Sequence, residues 1–205
     1  RADSPTADAW RGYGNLNAAG SSLYQGISDC NIFLENIHLV PDMEEDERTR
    51  WIGEANFLKA YYHFWLVRQY GPIYIKDKNL PVNTSIQDSK VYRNTIDECF
   101  GYIVNLLDTV INNEYIPEQI FNETEELGRI TKGIAMSLKA YVLVTWASPL
   151  FNGNRDYADV VDNRGVAIFN PDKTEEEKLQ RWVEAADACK EAIDFVEERG
   201  HSLYL

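Results

Sequence analysis

Gly53-Glu54-Ala55-Asn56-Phe57-Leu58-Lys59-Ala60-Tyr61 returns 80 residues later as Gly133-Ile134-Ala135-Met136-Ser137-Leu138-Lys139-Ala140-Tyr141. Glycine, the two alanines, Leu-Lys and tyrosine keep their offsets, and both copies lie in stretches of helical apolar spacing. The echo continues downstream, where Asp97-x-Cys99 with Ile103 recurs as Asp187-x-Cys189 with Ile193 at a spacing of 90. A repeat of this kind is how paired helices stack, because each pair buries its apolar face against its neighbours. The expected fold is all-α, with two helical units at approximately 47–112 and 131–200.

Five helices follow from the apolar periodicity and the punctuation around it. The first runs from about Ser22 to His38, with Leu23, Ile27, Cys30, Leu34 and Ile37 in one stripe, and Pro41 ends it. The second, about Glu47 to Tyr70, is apolar nearly all round, with a thin polar line at Asn56, Lys59 and His63; it is expected to be the most buried. Gly71-Pro72 stops it. The third spans about Ser89 to Asn112 and carries Ile96, Cys99, Ile103, Leu106 and Val110 on one face. The fourth, Thr131 to Ala147, places small alanines where helices approach closely. The fifth opens with a capping box, Thr174 and Glu177, and ends at Gly200. The connections Gly71 to Asp88, Asn113 to Arg129 and Ser148 to Lys173 exceed the usual length of about 4 to 6 residues. Long loops on a rigid frame carry function or dock another domain.

Charge and composition limit the function classes. With 33 acidic against 20 basic residues the net charge is -13, which repels a phosphate backbone, so no nucleic-acid partner is expected. No apolar run approaches the roughly 20 residues needed to span a bilayer. The first residue is Arg1, which reads as a processed piece of a longer protein. Cys30, Cys99 and Cys189 lie far apart, each on an apolar helical face, and read as core packing.

The second helix and its exit, Gly53 through Phe64 and Leu66-Val67-Arg68-Gln69-Tyr70-Gly71-Pro72, resemble the signature helix of the SusD/RagB family of nutrient-binding lipoproteins. Gly128-Arg129-Ile130-Thr131-Lys132-Gly133, continuing to Ser148-Pro149-Leu150-Phe151-Asn152-Gly153, is similar to the family's other strong motif. Trp182 with Ala185-Ala186-Asp187-Ala188, closing on Leu203-Tyr204, fits the next helix and its turn. Three blocks in order are far more specific than one. Where many members read Tyr-Gly-x-x-Pro, this chain has Tyr70-Gly71-Pro72-Ile73-Tyr74, with an aromatic at the usual place of the proline.

The resemblance implies tetratricopeptide-like helix pairs in a right-handed helical-repeat arrangement, making residues 1–205 a SusD-like lobe of a protein about twice this length or more. It implies a lipid-anchored protein exposed at the outer-membrane surface, its anchor outside this chain, beside a SusC-like TonB-dependent transporter. The ligand is an oligosaccharide, or a peptide as in RagB-like members. A lobe that only docks the transporter, with no ligand site of its own, is the alternative.

Catalytic chemistry finds no foothold, so a binding protein and not an enzyme is expected. His38, His63 and His201 are isolated, without the one-turn spacing of a zinc pair. Ser148 lacks a nucleophile elbow and a nearby base. Gly128 and Gly133 have phosphate-loop separation, yet Ile134 and Ala135 stand where Lys and Ser/Thr are required. The acidic run Asp42 to Glu47 reads as a solvated helix entry. No cofactor or metal is expected, except that Asp156, Asp159 and Asp162 form an oxygen-rich loop open to calcium.

Aromatic residues outside the helices carry the binding expectation. A sugar stacks its apolar face on a ring and needs amides or charges nearby for its hydroxyls. Trp10 and Tyr13 beside Asn15 and Asn17, and Tyr74, fit that description and are the candidate ligand residues. Tyr61, Tyr62, Phe64 and Trp65 read as core, and Phe151 as the plug of the turn after the fourth helix.

Overall fold

The computed structural model describes residues 22–202. Five main helices carry the fold: α1 Leu23–Asn36, α2 Glu45–Tyr70, α3 Ile96–Ile111, α4 Lys132–Ala147 and α5 Glu175–Glu197. One further turn of helix lies at Glu123–Glu126, with 3-10 turns at Ile37–Leu39 and Arg155–Tyr157. The described residues form no strand, only a single antiparallel bridge between Val161 and Ala167. The fold is all-helical, as the sequence implies.

Helix starts follow their caps. Ser22 accepts from the Gln25 amide, Thr131 from Ile134 and Thr174 from Glu177, the last within a full capping box. The third helix begins seven residues later than the sequence reading places it. Thr95 and Glu98 form a second capping box there, which satisfies the orphan amides and fixes the start at Ile96. Residues 89–93 are left outside the helix. The fifth helix ends at Glu197; Gly200, at φ 82°, lets His201 donate back to the Val196 carbonyl.

Helices α2 and α3 lie antiparallel, since Gly53 meets Asn113 and Ile116 at one end and His63 meets Tyr102 further along. Helices α4 and α5 do the same: Gly133 touches Val196, and Asn152 beyond α4 reaches the Lys178 carbonyl. The repeated glycine therefore has the same duty in both copies. A Cβ at Gly53 would stand 2.8 Å from Ile116 and Asn113, and at Gly133 3.0 Å from Val196. Helix α1 packs on α2, and α3 on α4. The core runs through Phe64, Val67, Phe100, Ile103, Leu107 and Val142. Phe151 does plug its turn, edge-on to Phe100 with ring centroids 5.1 Å apart.

The echo after the repeat does not carry burial with it. Ile103 is 1% exposed and Ile193 is 54% exposed. Helix α5 buries Ala185, Ala188 and Ala192 against α4 and leaves Leu179, Trp182, Val183 and Ile193 on its outer side. Cys30 and Cys99 are buried, and burial pushes the Cys99 thiol up to about 11; Cys189 is half-buried. Among the described residues no helix is long and apolar enough to cross a membrane.

Candidate functional site

Gly71 ends α2 in the left-handed region, at φ 68°, and turns the chain back over its own helix. Ile73 then enters the core, and the segment to Asn79 crosses α1, α2 and α3. Polar bonds hold this segment along its length. Tyr24 donates to the Tyr74 carbonyl at 3.0 Å, Asn31 to Lys76 at 3.2 Å, and Asn79 to the Ser28 carbonyl at 2.9 Å. From the α3 side, Asn94 Oδ1 accepts from the Ile75 amide at 3.0 Å.

Two residues of the polar line on α2, Lys59 and His63, lie under this segment, turned away from solvent, while Asn56 is half-buried. Lys59, 4% exposed, donates to the Asp77 carbonyl at 2.6 Å and to Asp77 Oδ1 at 3.2 Å. Tyr102 on α3 donates to the same Oδ1 at 2.8 Å. Burial pushes the Asp77 carboxyl up, but the Tyr102 bond and the Lys59 charge outweigh it and hold the group below its usual range. Burial, then the bond to Asp77, raises the Tyr102 hydroxyl. His63, one turn beyond Lys59, is 1% exposed. Its Nδ1 lies 2.7 Å from the Lys59 carbonyl, which can only accept, so Nδ1 carries the proton. Nε2 is thereby left to accept from the Lys76 amide at 3.3 Å. Burial lowers the imidazole to about 4 and keeps it neutral.

Above these anchors the segment and α1 form a groove of about 650 Å³. Tyr74, the one candidate ligand residue among those described, lines it with Ser28, Glu35, Lys76, Asn79 and Leu80. Tyr74 is half-buried, and the Asn79 Oδ1 is buried without a hydrogen-bond partner. Within the groove the Lys76 ammonium bonds Ser28 Oγ at 2.5 Å and Asn79 is turned inward, so the Tyr74 ring, the Glu35 carboxylate and the remaining Lys76 protons are what it offers a polyhydroxylated ligand. Trp10, Tyr13, Asn15 and Asn17 lie outside the described residues. The sequence reading missed Ser28, Glu35, Lys76 and Asn79. The polar run Lys76 to Asn79 after a helix-stopping Gly-Pro was the available signal; that α1 would supply the opposite wall had none.

Other grooves are less suited to a sugar. One of about 580 Å³ between α3 and α5 centres on Asp97, which accepts from Trp146 Nε1 at 2.9 Å and Lys173 at 2.7 Å. Burial raises this carboxyl, but Lys173, Trp146 and Arg181 bring it below the usual range. Trp146 there offers no free face: Phe100 stacks on one side at 5.4 Å, and Arg181 lies 3.3 Å from the ring centroid. In a groove of about 710 Å³ beside Phe195, Val196 and Ile134, Arg199 lies 3.4 Å from the Phe195 ring centroid, covering that face, and pairs with Glu118 at 2.9 Å. In the Asp156 to Asp162 loop, Asp162 accepts from the Arg164 and Val166 amides and pairs with the Arg164 guanidinium at 2.6 Å. Among the described residues no group of three or more His, Cys, Asp or Glu side chains is placed to hold a metal.

Comparison with known proteins gives one family. The SusD-like family profile, described as starch-binding and associating with the outer membrane, matches residues 8–142. A SusD-like protein of Bacteroides ovatus is 25% identical over 149 residues, covering 71% of this chain and 25% of that protein. The solved structure of BT4246 superposes with a TM-score of 0.79 at 32% identity, over 89% of this chain and 30% of the other. A laminarin-binding SusD-like protein superposes with a TM-score of 0.53 at 25% identity, over 61% and 25%. The chain therefore spans between 25% and 30% of the length of these relatives.

Proposed function

This chain belongs to the SusD-like family, and we propose that it is the helical lobe of a glycan-binding protein, not an enzyme, working at the outer-membrane surface. The family's description as starch-binding and the laminarin-binding relative support a glycan as ligand. The observation that carries the reading is the Tyr74 groove, where a partly exposed ring and the charged side chains of Lys76 and Glu35 line one concave surface beside a rigidly held loop. A sugar ring stacks on Tyr74 while Lys76 and Glu35 take its hydroxyls. In the cell the protein is lipid-anchored and passes its ligand to a SusC-like TonB-dependent transporter. Peptide, the ligand expected of a RagB-like member, is the competing ligand class.

Calorimetry of the wild-type chain against a panel of starch, laminarin, other polysaccharides and peptides tests this. Binding of a glycan that weakens at least tenfold in Tyr74→Ala is expected. Peptide binding alone, or glycan binding indifferent to Tyr74, overturns it.

One observation favours a second reading, in which the lobe only docks protein. The outer side of α5 presents Leu179, Trp182, Val183 and Ile193 in a helical stripe, a pattern that suits another helix better than a sugar. Copurification of the transporter with wild type but not with Trp182→Asp, in a chain that binds no glycan, would select it.

A further inference from the structure

The segment that builds the Tyr74 groove is held from below by a group that can exist there in only one protonation state. His63 donates from Nδ1 to the Lys59 carbonyl and accepts at Nε2 from the Lys76 amide. A second proton on Nε2 would face that amide's own hydrogen, donor against donor. The bond to the segment would be lost, and a buried cation would be created beside the Lys59 ammonium.

The surroundings offer the new charge no free partner. On its own helix His63 faces Lys59; from the segment, Lys76 and Asp77; from α3, the Tyr102 ring at 5.1 Å. Asp77 already binds Lys59 and Tyr102. On α1 the Cys30 thiol, held up chiefly by burial, lies on the Lys59 side and stays neutral. Elsewhere the segment is held by neutral bonds from Tyr24, Asn31, Asn79 and Asn94 and by two charged ones, Lys59 to Asp77 and Lys76 to Ser28 Oγ at 2.5 Å.

We propose that His63 is an acid-sensitive latch: its protonation breaks the bond that ties the Lys76 amide to α2 and loosens the Tyr74–Asn79 segment that walls the groove, while the helices stay packed. The regulatory consequence rests on the Tyr74 groove being the ligand site; the latch itself does not. The mechanism balances simply, one proton from solvent taken up at Nε2 and one hydrogen bond released. A closed state that resists protonation down to about 4, against an open state near 6.5, makes opening up to about 300-fold easier in acid.

Hydrogen exchange of the whole chain between pH 7 and 4.5, expressed as protection factors so that the intrinsic rate cancels, reads the segment without needing a ligand. Protection at Ile75 and Lys76 is expected to lie below that of the α2 and α3 core at pH 7, to fall about fiftyfold by pH 4.5 in wild type, and to fall much less in His63→Gln. Protection at Ile75 and Lys76 equal to that of the core, a fall retained in full by His63→Gln, or no fall at all overturns the latch. Should His63→Gln fail to fold, NMR titration of the wild-type imidazole decides: a midpoint near 4 supports the latch, and one near 6.5 removes it. Loss of the latch would leave the glycan reading standing, and failure of Tyr74→Ala to affect binding would leave the latch standing.

Discussion

Lys59 and Lys139 hold the same place in the two copies of the repeated motif, yet they serve different ends. Lys59 is buried beneath the 73–79 segment and ties down Asp77. Lys139 reaches Asp108 on α3 at 2.6 Å, with both side chains partly in solvent. Asn56 and His63 of the first copy correspond to Met136 and Leu143 of the second. The first copy spends its inner face on holding a loop; the second is apolar there and holds a helix. A shared scaffold motif thus acquires a site by changing the residues around it while keeping its glycine, alanines and tyrosine.

The sharpest break between the copies lies in their echoed isoleucines. Ile103→Ala removes a fully buried side chain and is expected to lower unfolding stability by about 3 to 4 kcal/mol, whereas Ile193→Ala, on the bare side of α5, should change it by no more than about 0.5 kcal/mol. Urea titration of both variants checks this. Equal costs would mean that something covers α5.

Acid separates the copies next, because only the first contains a buried imidazole. His63 is lowered to about 4 when folded, against about 6.5 unfolded, so below 6.5 the unfolded chain binds a proton that the folded one refuses. Stability is full above pH 6.5 and falls by about 3 kcal/mol as the pH drops towards 4. Urea midpoints at pH 7 and 4.5 are expected to show most of that loss, and His63→Leu, which imports the residue of the second copy, should flatten it.

The ion pairs differ by less. Asp77→Ala leaves the buried Lys59 ammonium with only a carbonyl and should cost about 2 kcal/mol. Asp108→Ala frees a lysine that can reach water and should cost under about 1 kcal/mol. Thermal unfolding of the two variants ranks them; a reversed order would remove the distinction between the copies.

Smallest is the glycine contrast. An alanine methyl at Gly53 must displace Asn113, which itself bonds the Thr49 carbonyl, and a cost of about 1 kcal/mol is expected after the gain in helix propensity. At Gly133 only a Val196 methyl has to give, and the change should be about zero. Denaturant midpoints resolve the pair.

Most of the fold was legible because its signals are local. Thr131, Thr174, Gly71 and Gly200 mark their helix ends in sequence, and apolar spacing supplies the rest. Where the reading misled, a nearer signal decided: the sequence reading starts the helix at about Ser89, but the Thr95 and Glu98 box starts α3 at Ile96, the first residue of its apolar stripe. The site was less legible. Tyr74 could be chosen as a loop aromatic, but Ser28 and Glu35 lie on a helix some 40 residues away, and nothing in their own neighbourhood places them beside it. Likewise the polar line of α2 is visible in sequence, while the fact that a returning loop covers it depends on tertiary packing.

The most direct test of the claim that the first copy carries the site is hydrogen-exchange footprinting of the chain with the tightest glycan from the panel. The account predicts protection confined to α1 around Ser28 to Glu35 and to residues 73–82. Protection along α4 and α5 with none in the first copy would contradict it and move the site to the second.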